Sequence, residues 1–116
     1  MKVLLVEDVE VEAKRIEAML RNLALDLELS RVSTLSAGIQ AAREGVDQVL
    51  LDLTLDDSLG IGTLVKFRKE CPNTPVVVIT GEKDELIREE ALNLGANAYL
   101  IKNTLKKEDL KAVLVA

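Results

Sequence analysis

The chain has no histidine and no tryptophan among its 116 residues, and only one cysteine, one tyrosine and one phenylalanine. The missing histidine excludes the commonest general base, every Ser-His-Asp or Cys-His catalytic arrangement and any histidine phosphodonor. The single cysteine, Cys71, excludes an internal disulfide and a cysteine-ligated zinc site, and it fits a reducing compartment. The core must therefore be built from Leu, Val, Ile and Ala.

Positive charge is also scarce, because 15 Lys and Arg residues face 20 Asp and Glu residues and leave a net charge of -5. Direct nucleic-acid binding depends on Lys and Arg that neutralise phosphates and on aromatic rings that stack on bases, so we do not expect it. The first apolar run ends at Glu7, too early for a signal peptide, and no run approaches a membrane span. We expect one domain over residues 1–116, located in the cytoplasm, with no membrane contact.

Short apolar runs alternate with amphipathic segments along the whole chain. The runs predict strands at residues 2–6, 25–32, 48–53, 76–80 and 97–101. The segments between them carry apolar residues three or four positions apart and predict helices at residues 9–24, 35–44, 60–70, 84–94 and 107–115. This alternation is typical of a parallel sheet with right-handed crossovers and helices on both faces.

Individual residues mark several helix ends. Asp84 is a predicted N-cap, and Thr104 is a candidate to cap the last helix. Gly45 and Gly95 stand where a helix commonly ends in a left-handed residue. Leucines alternate with polar residues over 25–30, which favours an edge position for that strand.

Polar side chains stand where four of the five predicted strands end. Glu7 and Asp8 follow the first strand and Asp52 ends the apolar part of the third, while Thr80 closes the fourth and Lys102 follows the fifth. Because the carboxyl ends of parallel strands meet at one edge of a sheet, we expect these side chains to converge. Three carboxylates in one crevice repel one another and either raise one pKa or bind a cation. The set therefore predicts a site for a divalent metal and a phosphoryl group.

Each of these residues also has an ordinary structural interpretation. Glu7 and Asp8 could cap the first helix, since acidic residues are favoured at helix N-termini. Asp52 could be a structural cap, Thr80 is a common type of strand residue, and Lys102 alone would be an ordinary surface lysine. All five residues stand at strand ends, and this coincidence favours the functional interpretation. Otherwise a separate structural explanation is needed for each residue.

Together these residues resemble the receiver domain of two-component response regulators. The resemblance covers essentially the whole chain, from the Glu7-Asp8 pair through Asp52 and Thr80 to Lys102. It implies a flavodoxin-like α/β fold with a five-stranded parallel sheet in the order 2-1-3-4-5. It also implies that Asp52 accepts a phosphoryl group from a histidine kinase or a histidine phosphotransfer protein.

The resemblance also implies the roles of the other site residues. Glu7 and Asp8 would bind Mg²⁺ together with Asp52, and Thr80 and Lys102 would contact the phosphoryl oxygens. Magnesium prefers oxygen ligands in an octahedron, and the backbone carbonyl of Thr54 is a candidate to complete the set. The domain would be a signalling switch rather than an enzyme, promoting only its own phosphorylation and slow dephosphorylation.

A further implication concerns transmission of the signal. In the family, the hydroxyl residue of the fourth strand and an aromatic residue of the fifth couple the site to a distant face; here these are Thr80 and Tyr99. That face comprises the fourth helix, the fifth strand and the last helix, and would include the surface around Arg88 and Glu89. It would bind an output domain, a partner or a second copy of the chain. The alternative is that Tyr99 merely packs at the edge of the sheet.

Two positions depart from the family pattern. Asp56 stands where a proline is usual, four residues after the acceptor, and Asn103 replaces the proline that often follows the lysine. The main alternative to a phosphorylated switch is a receiver-like interaction module that works without phosphorylation. A third interpretation is an unrelated flavodoxin-like enzyme. The complete acceptor set favours the phosphorylated switch.

Overall fold

The structure is a computed structural model that describes residues 1–115. Its strands, in chain order, are β1 (Lys2–Val6), β2 (Glu28–Val32), β3 (Gln48–Leu51), β4 (Thr54–Leu55), β5 (Ser58–Leu59), β6 (Val76–Thr80) and β7 (Ala98–Ile101). Its α-helices are α1 (Glu10–Arg21), α2 (Leu35–Arg43), α3 (Ile61–Glu70), α4 (Glu85–Asn93) and α5 (Lys107–Leu114). Within residues 1–115, every helix falls short of the length and hydrophobicity needed to cross a bilayer.

Five strands form one parallel sheet in the order β2-β1-β3-β6-β7, which confirms the predicted order of the five strands. The antiparallel pair β4-β5 lies between β3 and α3 and was not predicted. The predicted elements also run slightly long: the first helix spans Glu10–Arg21 rather than residues 9–24, and the edge strand begins at Glu28 rather than at residue 25.

Alternating residues of the buried strands divide the core into two layers. One layer, built on Leu4, Val49 and Val78, is covered by α2, α3 and α4. The other, built on Leu5 and Leu50, is covered by α1 and α5. The sheet is therefore enclosed on both faces, as a run of fully buried strands requires, and its two ends remain open to loops.

Two of the predicted helix caps can be compared directly with the structure. The Asp84 side chain accepts hydrogen bonds from the backbone N–H groups of Leu86, at 2.9 Å, and Ile87, at 3.3 Å, so it is the N-cap of α4. The prediction for Thr104 is wrong, because α5 begins after Lys106. There the Asp109 carboxylate accepts the Lys106 backbone N–H at 3.0 Å, which leaves no capping role for the earlier threonine.

Arg68 holds the amino-terminal edge of the sheet, where α3 and α4 end. Its guanidinium donates hydrogen bonds of 3.0–3.2 Å to five backbone carbonyls in two segments. The acceptors are Cys71, Pro72, Thr74, Leu94 and Gly95. One side chain thus ties the connection after α3 to the end of α4.

Candidate functional site

Three charged side chains meet at the carboxyl-terminal edge of the sheet. Glu7 follows β1 and is fully buried, and Asp52 follows β3 with 4% of its surface exposed. The ammonium of Lys102, which follows β7, lies 3.0 Å from Asp52 Oδ2 and 2.5 Å from Glu7 Oε1. For these three residues, the convergence predicted from the strand ends is present, with the lysine between the two carboxylates.

One ammonium does not neutralise two buried carboxylates. Burial raises the pKa of Glu7 to about 7, and the neighbouring Asp52 carboxylate acts in the same direction, while Lys102 opposes both. Burial disfavours the charged form of Lys102 as well, but Glu7 and Asp52 outweigh it and raise the pKa of the lysine above its ordinary value. The site carries an excess of negative charge that a cation would relieve.

The oxygens of the acidic residues fit a hard divalent cation. Glu7, Asp8 and Asp52 each offer a carboxylate oxygen, and the three atoms lie within 4.8 Å of one another. Asp8 Oδ1 is buried and has no hydrogen-bond partner within residues 1–115. A buried carboxylate oxygen without a partner is costly unless it meets a donor or a cation. All-oxygen donors of this kind suit Mg²⁺.

The capping alternative for the acidic pair holds only in part. Glu7 Oε2 accepts the backbone N–H of Val9, the residue before α1, at 3.2 Å. Among the described residues, no backbone N–H of α1 donates to Asp8. Asp8 is therefore available to another ligand, whereas Glu7 contributes to the start of the helix as well as to the carboxylate cluster.

An open crevice of about 410 Å³ gives access to this cluster. Thr54 lies on its wall, and the Thr54 backbone N–H donates to Asp52 Oδ1 at 3.2 Å. The lining residues are Asp8, Val9, Glu12, Asp52, Thr54, Gly81, Lys102 and Asn103. The Lys102–Asn103 peptide bond is trans, as are the other peptide bonds of residues 1–115.

Thr80 and Tyr99 contact the same residue of the loop after β6. The buried Thr80 hydroxyl accepts the backbone N–H of Glu82 at 3.3 Å, and the Tyr99 hydroxyl donates to the Glu82 carbonyl at 2.7 Å. Burial raises the pKa of the Tyr99 hydroxyl, and the carboxylates of Glu82 and Asp84 add to that effect. Tyr99 lies on β7, at the edge of the sheet, as expected if it has only a packing role. Its hydroxyl also holds the loop that borders the crevice.

The β4-β5 hairpin brings two acidic residues into contacts that the sequence did not indicate. Asp57 accepts the backbone N–H groups of Leu35, at 2.9 Å, and Ser36, at 3.1 Å, and so joins the hairpin to the start of α2. Asp56 lies within hydrogen-bonding reach of the Asp8 carboxylate, which raises the pKa of Asp56. The hairpin therefore places a fourth carboxylate beside the cluster.

Comparisons with known proteins agree with this geometry. Residues 3–115 match the family model of the response regulator receiver domain. The transcriptional regulatory protein CpxR of Klebsiella pneumoniae is 36% identical over 104 residues, which cover 87% of this chain and 42% of that protein. The chain spans about a third to a half of the length of the curated relatives that it matches.

Two solved structures share the fold. The signal receiver domain of a putative LuxO repressor protein from Vibrio parahaemolyticus superposes with a TM-score of 0.83 at 25% identity, covering 98% of this chain and 86% of that one. The Mn²⁺-bound form of the response regulator Rcp1 superposes with a TM-score of 0.77 at 25% identity, covering 97% of this chain and 88% of that one.

Proposed function

The chain belongs to the response regulator receiver family, and from that premise we propose that Asp52 is the residue that accepts the phosphoryl group. The observation that carries this proposal is the position of the Lys102 ammonium, 3.0 Å from Asp52 Oδ2 at the floor of an open crevice. A receiver of this kind is a signalling switch in a two-component system. The whole chain, residues 1–116, would form that single domain.

Transfer requires an in-line nucleophile and neutralisation of charge on the phosphoryl oxygens. An Asp52 carboxylate oxygen would form the new bond to phosphorus while the bond from phosphorus to the imidazole nitrogen of the donor breaks. The electron pair stays on the leaving imidazole. Lys102 would exchange part of its contact with Asp52 for a contact with a phosphoryl oxygen, and the Thr80 hydroxyl would donate to another oxygen after leaving the Glu82 backbone.

Glu7, Asp8 and Asp52 would hold Mg²⁺, with the backbone carbonyl of Thr54 as a further ligand. When bound, the ion supplies positive charge beside the phosphoryl oxygens. The support is the unpartnered Asp8 Oδ1 and the spacing of the three carboxylates. The Mn²⁺-bound form of Rcp1, a response regulator of the same fold that takes a divalent cation, is consistent with this assignment.

The partners follow from the chemistry of the donor. A histidine kinase or a histidine phosphotransfer protein would supply the phosphoryl group, since this chain contains no histidine of its own. The output would be read at the surface formed by α4, β7 and α5, through an output domain or a second copy, with no direct contact to nucleic acid. Such exchange between two signalling proteins would occur in the cytoplasm.

Intact mass after incubation with acetyl phosphate and Mg²⁺ tests the acceptor. We expect one added phosphoryl group on the wild type and on the control Asp26→Ala, and none on Asp52→Ala or on wild type in excess EDTA. Asp26 is exposed and lies away from the crevice, so it controls for the loss of one carboxylate. A labelled Asp52→Ala protein would show that another residue is the acceptor. An unlabelled wild type, where a control receiver is labelled, would favour an interaction module that works without phosphorylation.

A further inference from the structure

We propose that Arg15 of α1 is a positioning residue for Lys102, because it fixes the backbone from which the lysine reaches Asp52. The inference rests on the proposed phosphoacceptor function. It adds a residue that the sequence did not indicate, since Arg15 and Lys102 are 87 positions apart in the chain.

The contact joins α1 to the loop that follows β7. Arg15 Nη2 donates a hydrogen bond of 2.9 Å to the backbone carbonyl of Lys102. The same carbonyl accepts the backbone N–H of Leu105 at 3.3 Å, which closes the turn of 3₁₀ helix at Lys102–Thr104. The carbonyl of the functional lysine is thus held from two sides, by a charged donor and by its own turn.

Glu12 holds the guanidinium in turn. Its carboxylate lies 3.2 Å from the same Arg15 Nη2, and Glu12 itself lines the crevice with Asp52 and Lys102. Hydrogen bonds with a charged partner are shorter and stronger than neutral ones. The pair with Arg15 therefore connects Glu12, on the crevice wall, to the lysine loop.

Backbone position matters here because a lysine side chain is long and flexible. An ammonium placed between two carboxylates samples few conformations only if its Cα is fixed, and a displacement of about 1 Å at a reacting group can cost on the order of a hundredfold in rate. With 12% of its side chain exposed, Lys102 is nearly enclosed. Without the Arg15 contact, the longer bond from Leu105 is the one that remains at this carbonyl among residues 1–115.

The competing explanation is that Arg15 merely attaches α1 to the loop and stabilises the fold. The two explanations differ in what a folded variant does. A purely structural contact changes the melting temperature and leaves the rate of the folded protein unchanged. A positioning contact slows phosphoryl transfer at saturating donor and changes the environment of the Lys102 ammonium, even when the protein remains folded.

The experiment compares Arg15→Met and Arg15→Lys with the control Arg21→Met. Arg21 lies on the same helix and also pairs with a glutamate, Glu17, at 3.4 Å, but it does not contact the lysine loop. The readouts are the rate of phosphorylation at saturating acetyl phosphate and Mg²⁺, and the side-chain ammonium signal of Lys102 in ¹H–¹⁵N spectra of the metal-free protein, assigned with Lys102→Ala.

We expect folded Arg15→Met to be phosphorylated about tenfold more slowly than the wild type. Its Lys102 ammonium signal should shift toward those of exposed lysines. Arg15→Lys, which keeps a charged donor, should recover part of the rate, and Arg21→Met should match the wild type. If Arg15→Met does not fold, Arg15→Gln takes its place under the same criteria.

Three results would overturn the proposal. They are a wild-type rate in the folded variant, a rate for Arg15→Lys no higher than for Arg15→Met, and an equal loss in Arg21→Met. An unchanged Lys102 ammonium signal would overturn it independently of any rate. A wild type that takes up no phosphoryl group would count against the acceptor function, while the ammonium signal would still test the positioning.

Discussion

At the scale of single residues, the main feature of this protein is a buried charge imbalance. Glu7 is fully buried, and its carboxylate shares the Lys102 ammonium with Asp52. Folding therefore favours the protonated form of Glu7, whose pKa is raised to about 7 from an ordinary 4.5. Ionisation of Glu7 at neutral pH therefore lowers the free energy of unfolding of the metal-free protein, and a bound cation would offset that loss.

The first prediction concerns the pH dependence of the metal-free protein. The unfolded chain loses the Glu7 proton near pH 4.5, whereas the folded protein keeps it until about pH 7. The folded state binds more protons across this window, so the free energy of unfolding should fall as the pH rises through it. We expect a fall on the order of 2 kcal/mol in denaturant titrations in EDTA.

The control for this prediction is Glu7→Gln, which carries no titrating group at that position. The free energy of unfolding of Glu7→Gln should not show the fall that Glu7 causes in the wild type between pH 4.5 and about 7. Saturating Mg²⁺ should also reduce the fall in the wild type, because a cation favours ionised ligands. Parallel stability profiles of the wild type and Glu7→Gln would show that Glu7 is ionised throughout.

At the scale of elements, the close approach of α2 to β1 depends on a glycine. A Cβ added to Gly38 would lie 2.9 Å from Cγ2 of the fully buried Val6. Gly62, in the first turn of α3, faces open space and has no atom within 4 Å of an added Cβ. Close packing therefore requires a glycine at position 38 but not at position 62.

The second prediction uses this difference. Gly38→Ala should destabilise the protein by about 1–3 kcal/mol, because Val6 and the helix must move apart in a filled core. Gly62→Ala should stabilise it by about 0.5–1 kcal/mol through the better helix propensity of alanine. Thermal or urea unfolding measures both changes. Equal effects of the two substitutions would mean that α2 adjusts its distance from β1 freely.

The elements also show how far the sequence alone could lead. The five long strands were predictable because their buried runs and strand-end polar residues recur with clear spacing, and those strand ends brought Glu7, Asp52 and Lys102 together as expected. The β4-β5 hairpin was not predictable, since two-residue strands are too short to show a period and its Asp56-Asp57 turn contains no glycine or asparagine.

Contacts between distant segments were equally beyond the sequence. Asp57 reaches the start of α2 across 22 positions, and Arg15 reaches the Lys102 carbonyl across 87. Each contact joins a side chain to a backbone group, and a backbone group leaves no mark on the residue pattern. The sequence could identify the charged residues of the site, but not the residues that hold them in place.

At the scale of the whole molecule, Glu82 connects the crevice to the interior. Its N–H donates to Thr80 and its carbonyl accepts from Tyr99. If the Thr80 hydroxyl turns toward a phosphoryl group, the Glu82 backbone loses one of its two anchors. Tyr99 would then respond, because its hydroxyl is the other anchor, and α4 begins directly after this loop.

The third prediction tests this connection with Tyr99→Phe. Adding Mg²⁺ and beryllofluoride, a phosphoryl mimic, to the wild type should shift amide signals around Asp52 and also over residues 84–101. In Tyr99→Phe the shifts near Asp52 should persist, and those over residues 84–101 should be much smaller, because the hydroxyl contact is gone. Equal shifts in both proteins would show that the signal travels by another route. An absence of shifts over residues 84–101 in the wild type would contradict the switch itself.

The Arg68 contacts at the opposite edge of the sheet bear on where this protein can open. Five carbonyls held by one guanidinium keep the ends of α3 and α4 together, whereas the crevice edge combines like charges with a carboxylate oxygen that has no hydrogen-bond partner within residues 1–115. Low-energy opening concentrates where stabilising contacts are few. We therefore expect the larger thermal fluctuations at the crevice edge, with the Arg68 edge as the fixed frame against which that motion becomes a readable change of shape.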